Sequence, residues 1–202
     1  MVDDKTTTET LIFEAAKKVF QQKGLTGARM QEIADEAGIN KSMLHYYYRS
    51  KELLFRQIFL QSFKNFIGSV VPLLNQEVGW EEKIHLLIEH YASIMQKNPD
   101  LPLFIFNELK NNPDDFINII KENTISKTLF IQQIKEGIKN GEIRDISPQQ
   151  IIITINSGII FPFMAQPMVK YMAALRDTDW DNFMIERKKI VEEMLIKYLK
   201  EF

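Results

Sequence analysis

The chain has 202 residues, with 25 lysines and arginines against 27 acids, three histidines and no cysteine. With 45% hydrophobic and 26% charged residues it has the composition of a folded globular protein, not a disordered one. The lack of cysteine excludes disulfides, thiolate zinc sites, iron–sulfur clusters and a cysteine nucleophile.

Apolar spacing is helical along nearly the whole chain. Leu11, Ile12, Ala15, Ala16, Val19 and Phe20 fall on one helix face, and Lys23-Gly24 ends that helix. Met30, Ile33, Ala34 and Ala37 form a short second stripe closed by Gly38. Asn40 can cap a third short helix, Lys41 to about Tyr47, and Ser50 a fourth, from Lys51 to about Leu74. The fourth helix is apolar over more than half its circumference and carries Phe55, Phe59, Phe63 and Phe66 in register, so it is expected to be buried on several sides. A fifth helix follows Gly79. Asn98-Pro99 and Asn112-Pro113 read as cap-then-proline starts. Leu129 to Ile138 is helical and stops at Asn140-Gly141. Ser147-Pro148-Gln149-Gln150 reads as a capping box opening the next helix, which Pro162 and Pro167 should kink or end. Asp177-Thr178-Asp179 is expected to cap a last helix, Trp180 to about Lys200. No alternating run with hairpin turns occurs, so the expected fold class is all-α.

No residue is charged between Asp145 and Lys170, and Ile151–Val169 approaches the length of a bilayer span. Two prolines and two side-chain amides argue instead for a helix buried in a core or between subunits. The polar start, MVDDKTTTET, has no secretory pattern, so the expected compartment is the cytoplasm.

The informative stretch is GLTGARMQEIADEAGINKSMLHYYYRSKELL, residues 24–54. Two short helices joined by Ala37-Gly38-Ile39-Asn40 fit a helix-turn-helix. Ala34 is small enough for close passage, Gly38 takes the turn's backbone angle, and Ile39 and Leu44 plug the core beneath it. The other side of the third helix then carries Lys41, Ser42, Met43, His45, Tyr46 and Tyr47. Its hydroxyls and ammonium suit phosphate oxygens and groove edges. Residues 5–51 carry a net charge of +3 and the rest of the chain −5, the asymmetry that nucleic acid binding requires. No Ser-His-Asp order, phosphate loop or paired carboxylate site stands out, so the chain is not expected to be an enzyme. Three histidines, with His85 and His90 five residues apart, make no metal site, and no cofactor is expected.

In these residues the sequence resembles the tetracycline-repressor (TetR) family of bacterial regulators. The resemblance rests on Phe20 with Gly24, Glu32-Ile33-Ala34, Ala37-Gly38-Ile39, the Lys41-to-Tyr48 helix and Ser50-Lys51-Glu52, across about residues 8–54. It departs at Arg29, where a Thr or Ser cap is usual, and at Ser42, His45 and Tyr48. The resemblance implies a DNA-binding head, residues 1–50, and a helical ligand-binding and dimerisation body, residues 51–202. It implies that Arg29 and Gln31 touch backbone phosphate or an adjacent base. Lys41, Ser42, Met43 and Tyr46 would then face base edges, while His45, Tyr47 and Lys51 clamp phosphates. The implied function is a ligand-responsive transcriptional regulator, a repressor that binds palindromic operator DNA as a homodimer and is released by a small, mostly apolar inducer. The fourth helix would be the lever between pocket and head. Candidate pocket residues are Phe59, Phe63, Phe66, Tyr91, Phe104, Phe130, Phe161 and Met164, with His90, Asn107 and Asn156 as polar handles. A dimer seam would use Ile151, Ile155 and Ile159 with Phe183, Val191, Met194, Leu195 and Tyr198. The alternative is a helical dimer that binds a small molecule or partner protein without touching DNA.

Overall fold

The computed structural model describes residues 3–98, 101–111, 113–123 and 125–201, with side chains except at 3–7, 104, 107, 108, 111, 115 and 116. The described residues form α-helices and two short 3₁₀ turns, as the spacing predicts. In chain order these are α1 (Asp3–Gly27), α2 (Met30–Glu36), α3 (Lys41–Tyr47), α4 (Lys51–Leu74), α5 (Trp80–Lys97), α6 (Leu101–Asn111), α7 (Pro113–Glu122), α8 (Leu129–Lys139), α9 (Pro148–Met164), α10 (Gln166–Met172) and α11 (Trp180–Lys200). They group into two compact units. One holds the residues up to Asn65 with Leu103–Phe116, the other Phe66–Pro102 with Ile117 onward.

Local chemistry sets most helix ends in the first unit. Gly24 breaks α1 with a φ of 65° and ψ of −179°, a conformation open to glycine alone. The α2–α3 turn is a Schellman motif. The Gly38 N–H donates to the Asp35 carbonyl at 3.2 Å and the Ile39 N–H to the Ala34 carbonyl at 3.0 Å, with Gly38 at φ 68°. The Asn40 side chain accepts from the Met43 N–H at 2.7 Å and the Ser50 hydroxyl from the Leu53 N–H at 3.2 Å, so both expected caps form. Phe20, Ile33, Ala34, Leu44 and Leu54 are fully buried, and Phe20 meets Phe55 edge-to-face at 4.9 Å. Ile39 is only half-buried, so Leu44 is the residue that plugs the turn.

The second unit is built on α5, α8, α9 and α11, with α9 packed against α5, α8 and α11. Its core runs from Val70 and Leu74 through Leu87, Ile88 and Tyr91 to Ile134, Ile155, Ile159 and Leu195. Lys83 lies wholly inside, its ammonium donating to Gln133 Oε1 at 2.8 Å, and the Gln133 amide donates on to the Val78 carbonyl. Burial pushes the Lys83 pKa down.

Several expected ends differ. The Ser147 hydroxyl donates to Gln149 Oε1 instead of capping α9, so the predicted capping box does not form. Asp179 does not cap α11 either. Its carboxylate accepts three bonds from Arg176, from the backbone N–H at 3.0 Å and from Nε and Nη2. A charged guanidinium one turn away outcompetes a neutral amide for that carboxylate. Asn98 ends α5, its side-chain amide donating to the Ile94 carbonyl, while Pro99 and Asn112 lie outside the described residues. Pro162 is held inside α9. The chain turns at Ala165, and α10, a helix the spacing does not announce, leaves at 88° with Pro167 in its first turn. Among the described residues no single helix is long and apolar enough to cross a membrane.

Candidate nucleic-acid interface

Within the first unit, α3 has one buried residue, Leu44, which fixes the helix's rotation. At about 100° per residue, Ser42 and Tyr46 then stand roughly opposite Leu44. Met43 and Tyr47 fall to one side, Lys41 and His45 to the other. The burial pattern agrees. Lys41, Ser42, Met43, His45 and Tyr46 are exposed and Tyr47 is half-buried. Tyr46 is 75% exposed and Met43 42%. Tyr47 supports the Tyr46 ring edge-to-face at 5.5 Å, limiting the rotamers of an otherwise free side chain.

The surrounding charges are sorted by sign. Glu32 pairs with Lys23 at 3.1 Å and Glu36 with Lys18, so two acids of α2 are neutralised by α1. The Lys23 hydrogen bond holds the Glu32 carboxyl below the usual range. Arg29 stands at the N-cap of α2. Its side chain has no acceptor to cap with; instead its backbone N–H donates to Glu32 Oε2 at 3.3 Å, and its guanidinium stays exposed. The Gln31 amide donates to Asp35 at 2.7 Å. Lys51 is half-buried, and its ammonium donates to the Ala28 carbonyl at 3.1 Å. That contact joins the start of α4 to the α1–α2 turn, a role the sequence does not reveal because 23 residues separate the partners.

The candidate ligand residues divide. Phe59 and Phe63, in the first unit, are buried and stacked at 6.4 Å. In the second unit Phe66 stacks on Tyr91 at 5.6 Å, and His90 Nε2 lies 2.8 Å from Ser69 Oγ. The Ser69 hydroxyl spends its one proton on the Phe66 carbonyl at 2.7 Å, so His90 must donate from Nε2 and keep Nδ1 as an acceptor. Burial lowers the His90 pKa and favours that neutral form. Phe130 is enclosed in the core, Met164 is half-buried, and the Asn156 side-chain oxygen is buried without a partner. Phe161 is half-exposed on the outer face of α9 and is not enclosed with the others. The side chains of Phe104 and Asn107 lie outside the described residues.

The expected dimer seam also needs correction. Ile151, Ile155 and Ile159 have no exposed surface, because they face the chain's own core, and they are not available to a second copy. Phe183 stacks on Trp180 at 5.7 Å. Val191, Met194, Leu195 and Tyr198 line an open groove of about 690 Å³ between α9 and α11, with Thr154, Ser157 and Gly158 opposite. Arg187 closes one side by donating to the Gly158 carbonyl at 3.0 Å. The outward apolar residues here are Ile153, Phe161, Ile190, Met194 and Tyr198. The register of α9 and α11 carries that signal once the inner face is known.

A short helix held outward on a Schellman turn, beside the exposed Arg29 and Lys41, is the arrangement of a helix-turn-helix, the class of motif that binds DNA. Residues 12–58 match the family described as bacterial regulatory proteins, tetR family. The chain is 29% identical over 201 residues to the HTH-type transcriptional regulator RutR of Escherichia coli, covering 94% of this chain and 89% of that one. It is 25% identical to the HTH-type transcriptional repressor SCO4008 of Streptomyces coelicolor, covering 94% and 97%. Its fold is similar to the solved structure of FadR from Bacillus subtilis in complex with stearoyl-CoA, with a TM-score of 0.66 at 20% identity over 94% of this chain and 98% of that one. Residues 12–58 thus carry the DNA-binding domain of the tetR family of bacterial regulatory proteins, and the chain is similar along most of its length to HTH-type transcriptional regulators.

Proposed function

We propose that the chain is a cytoplasmic repressor that binds palindromic operator DNA as a homodimer and lets go when a small, mostly apolar inducer binds its body. The observation that carries the DNA reading is the outward face of α3, with Tyr46 exposed yet supported by Tyr47. Tyr46 and its neighbours Lys41, Ser42 and Met43 face base edges. Arg29, Gln31, His45, Tyr47 and Lys51 sit where phosphates would pass. Two such helices read adjacent major grooves when a symmetric dimer holds them ~34 Å apart. An apolar inducer is inferred from the aromatic side chains of the body, the stacked Phe66 and Tyr91 among them, and the His90 Nδ1 acceptor would take a donor group. The fold relative FadR holds an acyl thioester of coenzyme A in its structure, which fits an apolar effector class. For a nearly complete switch the inducer must favour the DNA-incompetent form by about 5.5 kcal/mol.

Selection of bound sequences from random duplex DNA tests the reading, followed by gel-shift titration of the selected site. A palindrome is expected. Tyr46→Ala should abolish discrimination between that site and random duplex. Lys51→Ala should weaken all sequences alike and lower the salt slope by about one. Full affinity in both variants, or no selected sequence at all, would leave the helical dimer without a DNA role as the better description.

A further inference from the structure

The side chains presented by α3 constrain which bases it can read. Adenine and guanine are read in the major groove chiefly by paired hydrogen bonds, from Asn or Gln to adenine and from Arg or Lys to guanine. The helix Lys41–Tyr47 contains no Asn, Gln or Arg. The two nearest amides are already committed. The Asn40 carboxamide oxygen holds the Met43 N–H at 2.7 Å, and the Gln31 amide holds Asp35 at 2.7 Å. Lys41 is the single fixed cation on the helix, and it stands on the flank opposite Met43. Besides the Ser42 and Tyr46 hydroxyls, what the face offers is apolar. The Met43 thioether and the Tyr46 ring adjoin on one edge, both exposed, with the ring braced by Tyr47. The base feature that matches such an edge is the 5-methyl group of thymine.

We propose that Met43 and Tyr46 read thymine methyl groups, so that each operator half-site carries thymines at the steps they cover, with specificity drawn from apolar contact rather than from paired hydrogen bonds. This rests on the DNA-binding reading above. Ser42, small and central between the two flanks, lets the helix seat deeply enough for both side chains to reach the methyls. Lys41 and His45 then face the opposite wall of the groove.

The test changes the DNA and leaves the protein folded. In the selected duplex, each thymine of a half-site is replaced in turn by deoxyuridine, which removes only the methyl. Wild-type protein should bind about fourfold more weakly at one or two positions per half-site, the equivalent of ~0.8 kcal/mol for one buried carbon. Substitution in both half-sites together should multiply this to about sixteenfold. Met43→Ala, whose helical content is checked by circular dichroism, should bind thymine and deoxyuridine duplexes equally at the position it covers. A selected palindrome whose deoxyuridine forms all bind within twofold of the parent overturns the proposal while leaving the DNA-binding reading intact. Failure to select any duplex overturns both.

Discussion

At Gly137 a single hydrogen atom decides how closely two segments approach. A Cβ there would lie 2.5 Å from Ile143 Cδ1 and 2.7 Å from Cγ1. The Gly137 carbonyl accepts the Glu142 N–H at 2.8 Å and the Ile143 N–H at 3.1 Å in the turn that ends α8, which holds the two segments close. Gly137→Ala is therefore expected to lose about 1–3 kcal/mol to overpacking, against up to ~1 kcal/mol regained in helix propensity. Gly68 is the control. It is exposed inside α4 with nothing near its missing Cβ, so Gly68→Ala should gain up to ~1 kcal/mol. Urea melts of the two variants should move in opposite directions, and a shared direction would show that side-chain crowding is not what keeps glycine at 137.

At the scale of elements, what was legible in the sequence is what is decided locally. Asn40 and Ser50 cap α3 and α4 as expected, each side-chain oxygen accepting the backbone N–H three residues on. Ser147 and Asp179 fail to cap because Gln149 and Arg176 reach them first, a competition invisible to motif spacing. The rotation of α3 was readable for the same local reason, since Leu44 alone sets which side of a seven-residue helix faces out. The packing of α5 against α11 was not readable, since it joins residues about a hundred positions apart. His85 Nδ1 lies 2.9 Å from Glu192, and Lys188 pairs with Glu89 at 2.7 Å. The Glu192 hydrogen bond raises the His85 pKa, helped by the charges of Glu192, Glu89 and Glu82 and opposed by burial. A raised folded pKa means that the pair stabilises fully below the unfolded value of about 6.5 and fades as pH rises through the folded value. His90, lowered by burial, acts in the opposite sense, costing stability as pH falls below about 6.5. His85→Gln should thus lower Tm more at about pH 6 than at about pH 9, whereas His90→Gln should flatten the loss on the acid side. Parallel pH profiles for wild type and His85→Gln would remove the histidine from the account.

For the whole molecule, the proposed homodimer turns on which face would meet a second copy. The uncharged run Ile151–Ala165 was legible as something needing cover, but composition could not say that two different faces share that need. Ile151, Ile155 and Ile159 are covered by the chain's own core. Ile153 and Phe161 are not, and they stand on the outer side of α9, as Ile190, Met194 (67% exposed) and Tyr198 stand on that of α11. A pair of helices with this much exposed apolar surface is what a symmetric four-helix seam buries. Met194→Asp and Ile153→Asp each place a charge in that seam without touching the core. Burying an unpaired carboxylate costs several kcal/mol, so each should raise the dimer dissociation constant by at least about a hundredfold. Sedimentation should then show a monomer of unchanged helicity. Affinity for a full palindrome should fall towards that for a half-site, because linking two heads is what multiplies their binding. Ile155→Asp provides the contrast. Its side chain has no exposed surface, so the expected outcome is unfolding rather than a folded monomer. A Met194→Asp protein that still sediments as a dimer would place the seam on another face of the body.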